Sequence, residues 1–252
     1  MADRQPLFEL LIRLADDHLI LGHRLSEWCG HAPMLEEDLS LPNMALDLIG
    51  QARSLYTYAG EVEGKGRDED ALAYLRVESD YHNLLLVERP NVDFGHTVLR
   101  QFYFAVFMQL FWEKALNSSD ETLAAIAGKA VKEIAYHIRH CGEWIIRLGD
   151  GTDESHERMV AAVAALHGYT DELFECDTIC EHLVEANVIP DPSLLKADWD
   201  RQVRQVFAAA RLQVPETYWP MLGGREGNHG EEMGYLLTEL QYMQRTYPGM
   251  TW

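Results

Sequence analysis

Basic residues are scarce in this chain: 21 Lys and Arg stand against 41 Asp and Glu, a formal net charge of −20. A nucleic-acid binder needs a basic face that displaces counterions, and an anionic membrane surface asks for the same, so neither partner is expected. Cysteine is also sparse. Cys29, Cys141, Cys176 and Cys180 make no Cys-x-x-Cys pair. Cys176 and Cys180 lie too close for a helical disulfide, so free, mostly buried thiols in a reducing cytosol are expected. Long apolar runs are missing too. The most apolar stretch, 97–112, is interrupted by Arg100, Gln101 and Gln109 and falls short of the ~20 residues a membrane span needs. The opening Met1-Ala-Asp-Arg-Gln-Pro6 lacks a charged-then-apolar signal pattern. Period-two alternation, internal repeats and low-complexity tracts are lacking as well. A cytoplasmic protein is expected, and its 47% hydrophobic content suffices for a sizeable core.

What is present is helical spacing. A first helix is predicted over 6–28, with an inward stripe of Leu7, Leu11, Leu14, His18, Leu21, Leu25 and Trp28 in alternating steps of four and three. Gly30-His-Ala-Pro33 then breaks the chain. A second helix is predicted from Pro42, placed in its first turn, to Val62, with Asp47 and Gln51 beside its apolar stripe. Gly64-Lys-Gly66 ends it, and the long connection that follows carries a helix predicted over 70–87. A third main helix over 94–116 is apolar almost all round, which requires burial on every side. A fourth is capped by Ser118-Ser-Asp120 and runs to Leu148, stopping at Gly149. Further helices are predicted over 153–174, 193–211 and 231–245. Two helices, a long crossover and two more helices form the ferritin-like order, whereas a simple up-down bundle would have a short second loop. The expected fold is therefore all-α. It is a ferritin-like four-helix bundle over about 6–149 with a long crossover between helices two and three, plus a helical extension over about 152–252, in one domain spanning 1–252.

Such bundles grip two irons with a Glu from each of two helices and Glu-x-x-His from each of the other two. Glu133-Ile-Ala-Tyr-His137 supplies an acid and an imidazole one turn apart. The partners are short. The first helix offers His18 beside Asp17, and the second offers Asp47 with Gln51 and no histidine. The third has no acid between Asp93 and Glu113, which lie about 30 Å apart along a helix axis. His18, Asp47, Glu133 and His137 would make a single-metal site. The reading adopted is a buried polar network, with no metal ligands and His18, Asp47, Gln51, Glu133 and His137 as vestigial positions. Lys132 or Arg53 would be its counter-charge.

With that arrangement in view, several strings are telling: Leu25-Ser-Glu-Trp-Cys-Gly-His-Ala-Pro33, Leu46-Asp-Leu-Ile-Gly-Gln-Ala-Arg53 and Asn83-Leu-Leu-Leu-Val-Glu-Arg-Pro90. With Leu148-Gly-Asp-Gly-Thr152, His229 and Gln241-Tyr-Met-Gln-Arg-Thr-Tyr-Pro-Gly249, the chain resembles the PaaC family along essentially its whole length. These are the non-catalytic ferritin-like subunits of the phenylacetyl-CoA 1,2-epoxidase, a bacterial multicomponent monooxygenase. The resemblance implies pairing with a homologous catalytic subunit that holds a di-iron centre, activates oxygen and places one atom across the aromatic ring as an epoxide. It implies further epoxidase subunits, including a reductase with flavin and an iron–sulfur cluster fed by NADPH. It implies no catalytic residue and no cofactor in this chain, which would support the catalytic subunit structurally; self-pairing as a homodimer stays open for the isolated chain. The competing reading is a metal-binding oxygenase active in its own right. A generic acyl-CoA binder is disfavoured by the lack of clustered Lys and Arg for the CoA phosphates.

Two segments remain. Asp80, Tyr81, His82 and Asn83 are candidates for lining a groove at the partner face and touching the CoA arm of the substrate, against the alternative of a helix face packed on the bundle. Gly223-Gly-Arg-Glu-Gly-Asn-His-Gly230 looks like an anion cradle but follows no predicted strand, so it is read as a mobile connection.

Overall fold

The computed structural model describes residues 4–250, so the reading of Met1–Asp3 lies outside the described residues. Among the described residues every regular element is helical. Four long helices dominate: α1 (Gln5–Ser26), α2 (Leu35–Glu63), α5 (Phe94–Ala115) and α6 (Glu121–Gly149). Short α3 (Glu69–Tyr74) and α4 (Leu85–Glu88) lie in the crossover between α2 and α5. The second half adds α7 (Asp153–Leu166), α8 (Thr178–Glu185), α9 (Lys196–Ala209) and α10 (Glu231–Thr246). α1 lies closely along α2, α5 lies along α6, and α2 meets α6 across a narrower seam. Leu11, Leu14, Leu21 and Leu25 are buried as their spacing predicts.

The all-round apolarity of α5 has a direct cause. α6 covers one side while α7 and α9 cover others, and Trp199 of α9 donates its indole N–H to the carbonyl of Tyr103 at 3.0 Å. One continuous apolar cluster therefore runs from α1 through α5 into α9 and α10.

Several boundaries differ from expectation. α2 begins at Leu35, so Pro42 lies inside it rather than in its first turn. A proline there costs one helical hydrogen bond. Tertiary contacts hold the extra turns: Leu41 and Met44 are buried, Glu37 meets His140 at 2.8 Å, and Asp38 accepts from Gly30 N at 2.6 Å. The helix predicted over 70–87 is broken into α3, a 3-10 turn at Glu78–Asp80 and α4. The helix predicted over 153–174 ends at Leu166 and gives way to two 3-10 turns, and α8 had no counterpart in the sequence reading. The thiols also differ. Cys176 and Cys180 form a disulfide, with Cα atoms 5.1 Å apart, while Cys29 is exposed and Cys141 buried. The bond is feasible because Cys176 precedes the N-cap Asp177 and is not part of the helix.

Gly149, at the end of α6, lets the end of α9 approach; a Cβ there would collide with the Ala210 backbone. Gly149→Ala is expected to destabilise the protein by about 1–3 kcal/mol, because backbone cannot yield as a side chain would. The urea midpoint of the variant measures this; an unchanged or raised midpoint contradicts the packing described.

Candidate functional site

The residues singled out for metal binding gather between α1, α2, α5 and α6, where they bond mainly to one another. His18 is fully buried against Phe104 and Trp112, with ring centroids 5.3 and 6.1 Å away. Its Nδ1–H donates to Leu14 O at 2.6 Å. Nε2 faces the interior beside Gln51 without a well-formed hydrogen bond. Burial pushes the His18 pKa down to about 4, so the ring is neutral at pH 7. Gln51 Nε2 donates to Glu133 Oε2 at 2.9 Å, and Lys129 stands 3.6 Å from the same carboxylate. His137 is fully buried between Gln101 and Asp47, each 3.1 Å away. Those partners select one tautomer: Nε2–H donates to Asp47, and Nδ1 accepts from the Gln101 amide.

The counter-charges expected here are elsewhere. Arg53 is exposed and bonds Glu69 at 3.2 Å, and Lys132 is also exposed. Both sit on outward helix faces, where a long cationic side chain keeps its head hydrated.

This set does not fit a di-iron centre. α5 contributes the neutral amide of Gln101, which cannot bridge two metals as a carboxylate does. Asp47 and Glu133 are committed to His137 and Gln51. Among the described residues, no three His, Cys, Asp or Glu side chains are placed to hold a metal ion, and that includes the single-metal set His18, Asp47, Glu133 and His137.

A second polar system, largely unanticipated from sequence, ties the crossover to the C-terminal half. Asp16 and Asp17 of α1 are both buried. Asp16 pairs with Arg76, accepts from Tyr56 and takes the backbone N–H of His82 at 2.8 Å. Asp17 takes the N–H of Leu84 at 2.7 Å and pairs with Arg225 at 2.8 Å. Burial pushes the Asp17 pKa up to about 6, with Arg225 pulling the other way. Glu172 accepts from the N–H groups of Leu85, Gly223 and Gly224 at 2.7–3.1 Å. Glu88 accepts from Gly230 N at 2.7 Å and from His229 Nδ1 at 2.9 Å, while His229 Nε2 reaches Tyr81 O at 2.8 Å. Burial opposes charge on His229, but these two acceptors hold its pKa above the usual value and call for an N–H on each nitrogen.

The glycine-rich segment 223–230 is thus pinned rather than a mobile connection. Gly227 takes φ +78° and its Cα lies against Ser79 O, where a Cβ would collide. The tetrapeptide 80–83 is likewise not a helix face. Tyr81 and Asn83 are fully buried. The Tyr81 hydroxyl donates to Ala73 O at 2.5 Å and accepts from Gln241 at 2.9 Å. Asn83 bonds Leu84 O and Glu88. Asp80 and His82 are the members that reach solvent. The sequence signal for this second system was the pair of adjacent acids on α1, since one of two neighbours on an amphipathic helix ordinarily faces water.

Arg225→Ala leaves the Asp17 carboxylate buried without its cation and is expected to cost roughly 3–5 kcal/mol; adding Asp17→Asn should restore part of it, read by urea denaturation. For His18 the folded pKa of about 4 lies below the usual value of 6.5. Its contribution is complete above about pH 6.5 and is lost as pH falls toward 4, because the unfolded chain binds the proton more readily. His23, likewise lowered to about 4 by burial, acts with the same sign. Asp17 acts with the opposite sign: its contribution is present below pH 3.8 and lost as pH rises through about 6. His18→Leu should therefore flatten the acid limb between pH 6.5 and 4 by roughly 3 kcal/mol, measured as denaturation midpoints across a pH series.

The family model described as "Phenylacetic acid catabolic protein" (PaaA_PaaC) matches residues 1–252. A relative from Escherichia coli (strain K12), the C component of the 1,2-phenylacetyl-CoA epoxidase, is 45% identical over 241 residues, covering 96% of this chain and 97% of the relative. It is a protein of the kind that the strings around Trp28, Asp47 and Glu88 pointed to. No helix among the described residues is long and apolar enough to cross a membrane. By the extent of both matches, the chain belongs to the phenylacetic acid catabolic protein family.

Proposed function

We propose that this chain is a structural, non-catalytic subunit of a bacterial phenylacetyl-CoA epoxidase acting in aerobic phenylacetate degradation in the cytoplasm. It pairs with the homologous di-iron catalytic subunit and stabilises it. In this reading α1, α2, α5 and α6 form a ferritin-like four-helix bundle, with α7 to α10 as its helical extension. The irons reside in the catalytic subunit, flavin and the iron–sulfur cluster in the reductase, and this chain holds no metal.

One observation carries the proposal: the positions where a bundle of this kind would place iron ligands hold Gln51, Gln101 and His18, and the acids there are bonded to neighbours. A filled interior of that kind makes a rigid body for a homologous bundle to rest on. Exposed Leu35, Leu39 and Leu46 along α2 support a partner-covered face, since monomers rarely leave apolar groups in rows. A metal-binding oxygenase is the second reading, favoured by the bare Nε2 of His18.

Co-expression tests the proposal. Omitting this chain is expected to lower the soluble yield of the catalytic subunit several-fold while leaving that subunit's own ligands unchanged. A catalytic subunit that is soluble and fully active alone overturns it. Iron analysis of this chain purified alone separates the two readings: near zero per chain supports the structural role, and one or two irons per chain supports the oxygenase.

A further inference from the structure

The disulfide at the start of α8 has no part in the role proposed above. Cys180 lies in the first turn of α8 and is buried, while Cys176 precedes the helix and is half-buried. Cys176 lines an open cleft of about 480 Å³ together with Arg13, Gly223, Arg225 and Asn228. The other cysteines are differently placed: Cys29 is exposed, and burial pushes the Cys141 thiol well up.

We propose that Cys176–Cys180 is a reversible thiol–disulfide exchange site that is reduced by an external dithiol entering through this cleft. Two observations carry it. The two cysteines differ in burial and Cys176 lines the cleft, so an incoming thiolate meets Cys176 first. The bond closes a loop with a sequence separation of only 4, which constrains the unfolded chain little. Glu175, Asp177 and Glu226 share the cleft and favour a neutral dithiol over an anionic thiol.

A thiolate of the dithiol attacks Cys176 Sγ, the Cys176–Cys180 bond breaks, and its electron pair leaves on Cys180. The second thiolate of the reductant attacks the sulfur joined to Cys176, forming the reductant's own disulfide and releasing Cys176. Two electrons pass to the protein, and each cysteine sulfur ends as a protonated thiol.

Reduction would act locally. Asp177 is tied to α1 through Arg13 at 2.6 Å, and Glu172, just before the cystine, holds Gly223 and Gly224. The far end of α8 stays anchored, with Ser119 N on Asn187 O at 2.9 Å and Ser118 Oγ on Val188 O at 2.6 Å. Loosening is therefore confined to the near end of α8 and the glycine segment it borders.

The test uses the full chain purified without reductant, pulsed with dithiothreitol, quenched in acid, denatured, alkylated and mapped by mass spectrometry. Before the pulse, Cys29 and Cys141 should alkylate and Cys176 and Cys180 should not. During the pulse, the pair should open at least about tenfold faster than the chain unfolds globally and re-form with oxidised dithiothreitol. Amide exchange should rise in 172–180 and 223–230 alone. Cys176→Ser, folded by circular dichroism, should abolish the exchange. Free thiols at both positions before the pulse, opening only at the unfolding rate, or unchanged amide protection after reduction each overturns the proposal.

Discussion

Asp16, Asp17, Glu88 and Glu172 hold the non-helical parts of this protein by their main-chain N–H groups, and the relation between its two halves depends on them. Each is buried. Backbone outside a helix must find acceptors or lose the worth of a hydrogen bond for every buried amide. A carboxylate can serve several amides at once, as Glu172 does for Leu85, Gly223 and Gly224. The charge must then be neutralised, because a buried lone carboxylate is prohibitively costly. Arg76, Arg225 and His229 meet Asp16, Asp17 and Glu88, while Glu172 is held by the three backbone N–H groups it accepts. Arg24 and Arg100 treat the carbonyls in the same way, donating to Glu88 O, Arg89 O and Asn91. A strongly acidic chain thus places several of its few arginines inside, where they join the crossover to the long helices and the glycine segment to the crossover.

The interior between the long helices follows another logic. Its central polar patch is mostly neutral: His18 held uncharged by burial, the amides of Gln51 and Gln101, and acids kept toward its margin. Such an interior suits the supporting role proposed, because its rigidity comes chiefly from packing, not from a ligand that comes and goes.

Much of this was legible from residues. The four-and-three stripe on α1, the cap at Asp120, the stop at Gly149 and the near-complete burial of α5 are local signals or direct consequences of them. That Asp47, Gln51, Glu133 and His137 share one patch could be read from their positions on the two helices. The misreadings share one cause. Segment 70–87 has helical composition, but Asp16 and Asp17 capture the amides of His82 and Leu84 across more than sixty positions. Glycines at 223–230 suggest mobility until Glu172 and Glu88 are seen to hold glycine amides and Asp17 the Arg225 between them. The spacing of Cys176 and Cys180 excludes a bond only if both lie in a helix.

The sequence by itself determined that the chain is helical, which faces of the long helices turn inward, and which family it joins, because periodicity and contiguous strings are properties of neighbours in the chain. Only the tertiary structure decided where helices yield to turns, which cation meets which acid, and whether a glycine-rich stretch is loose or held. Those outcomes depend on hydrogen-bond and charge partners distant in sequence, and a buried polar group's preferred conformation is set by the partner that the fold delivers to it.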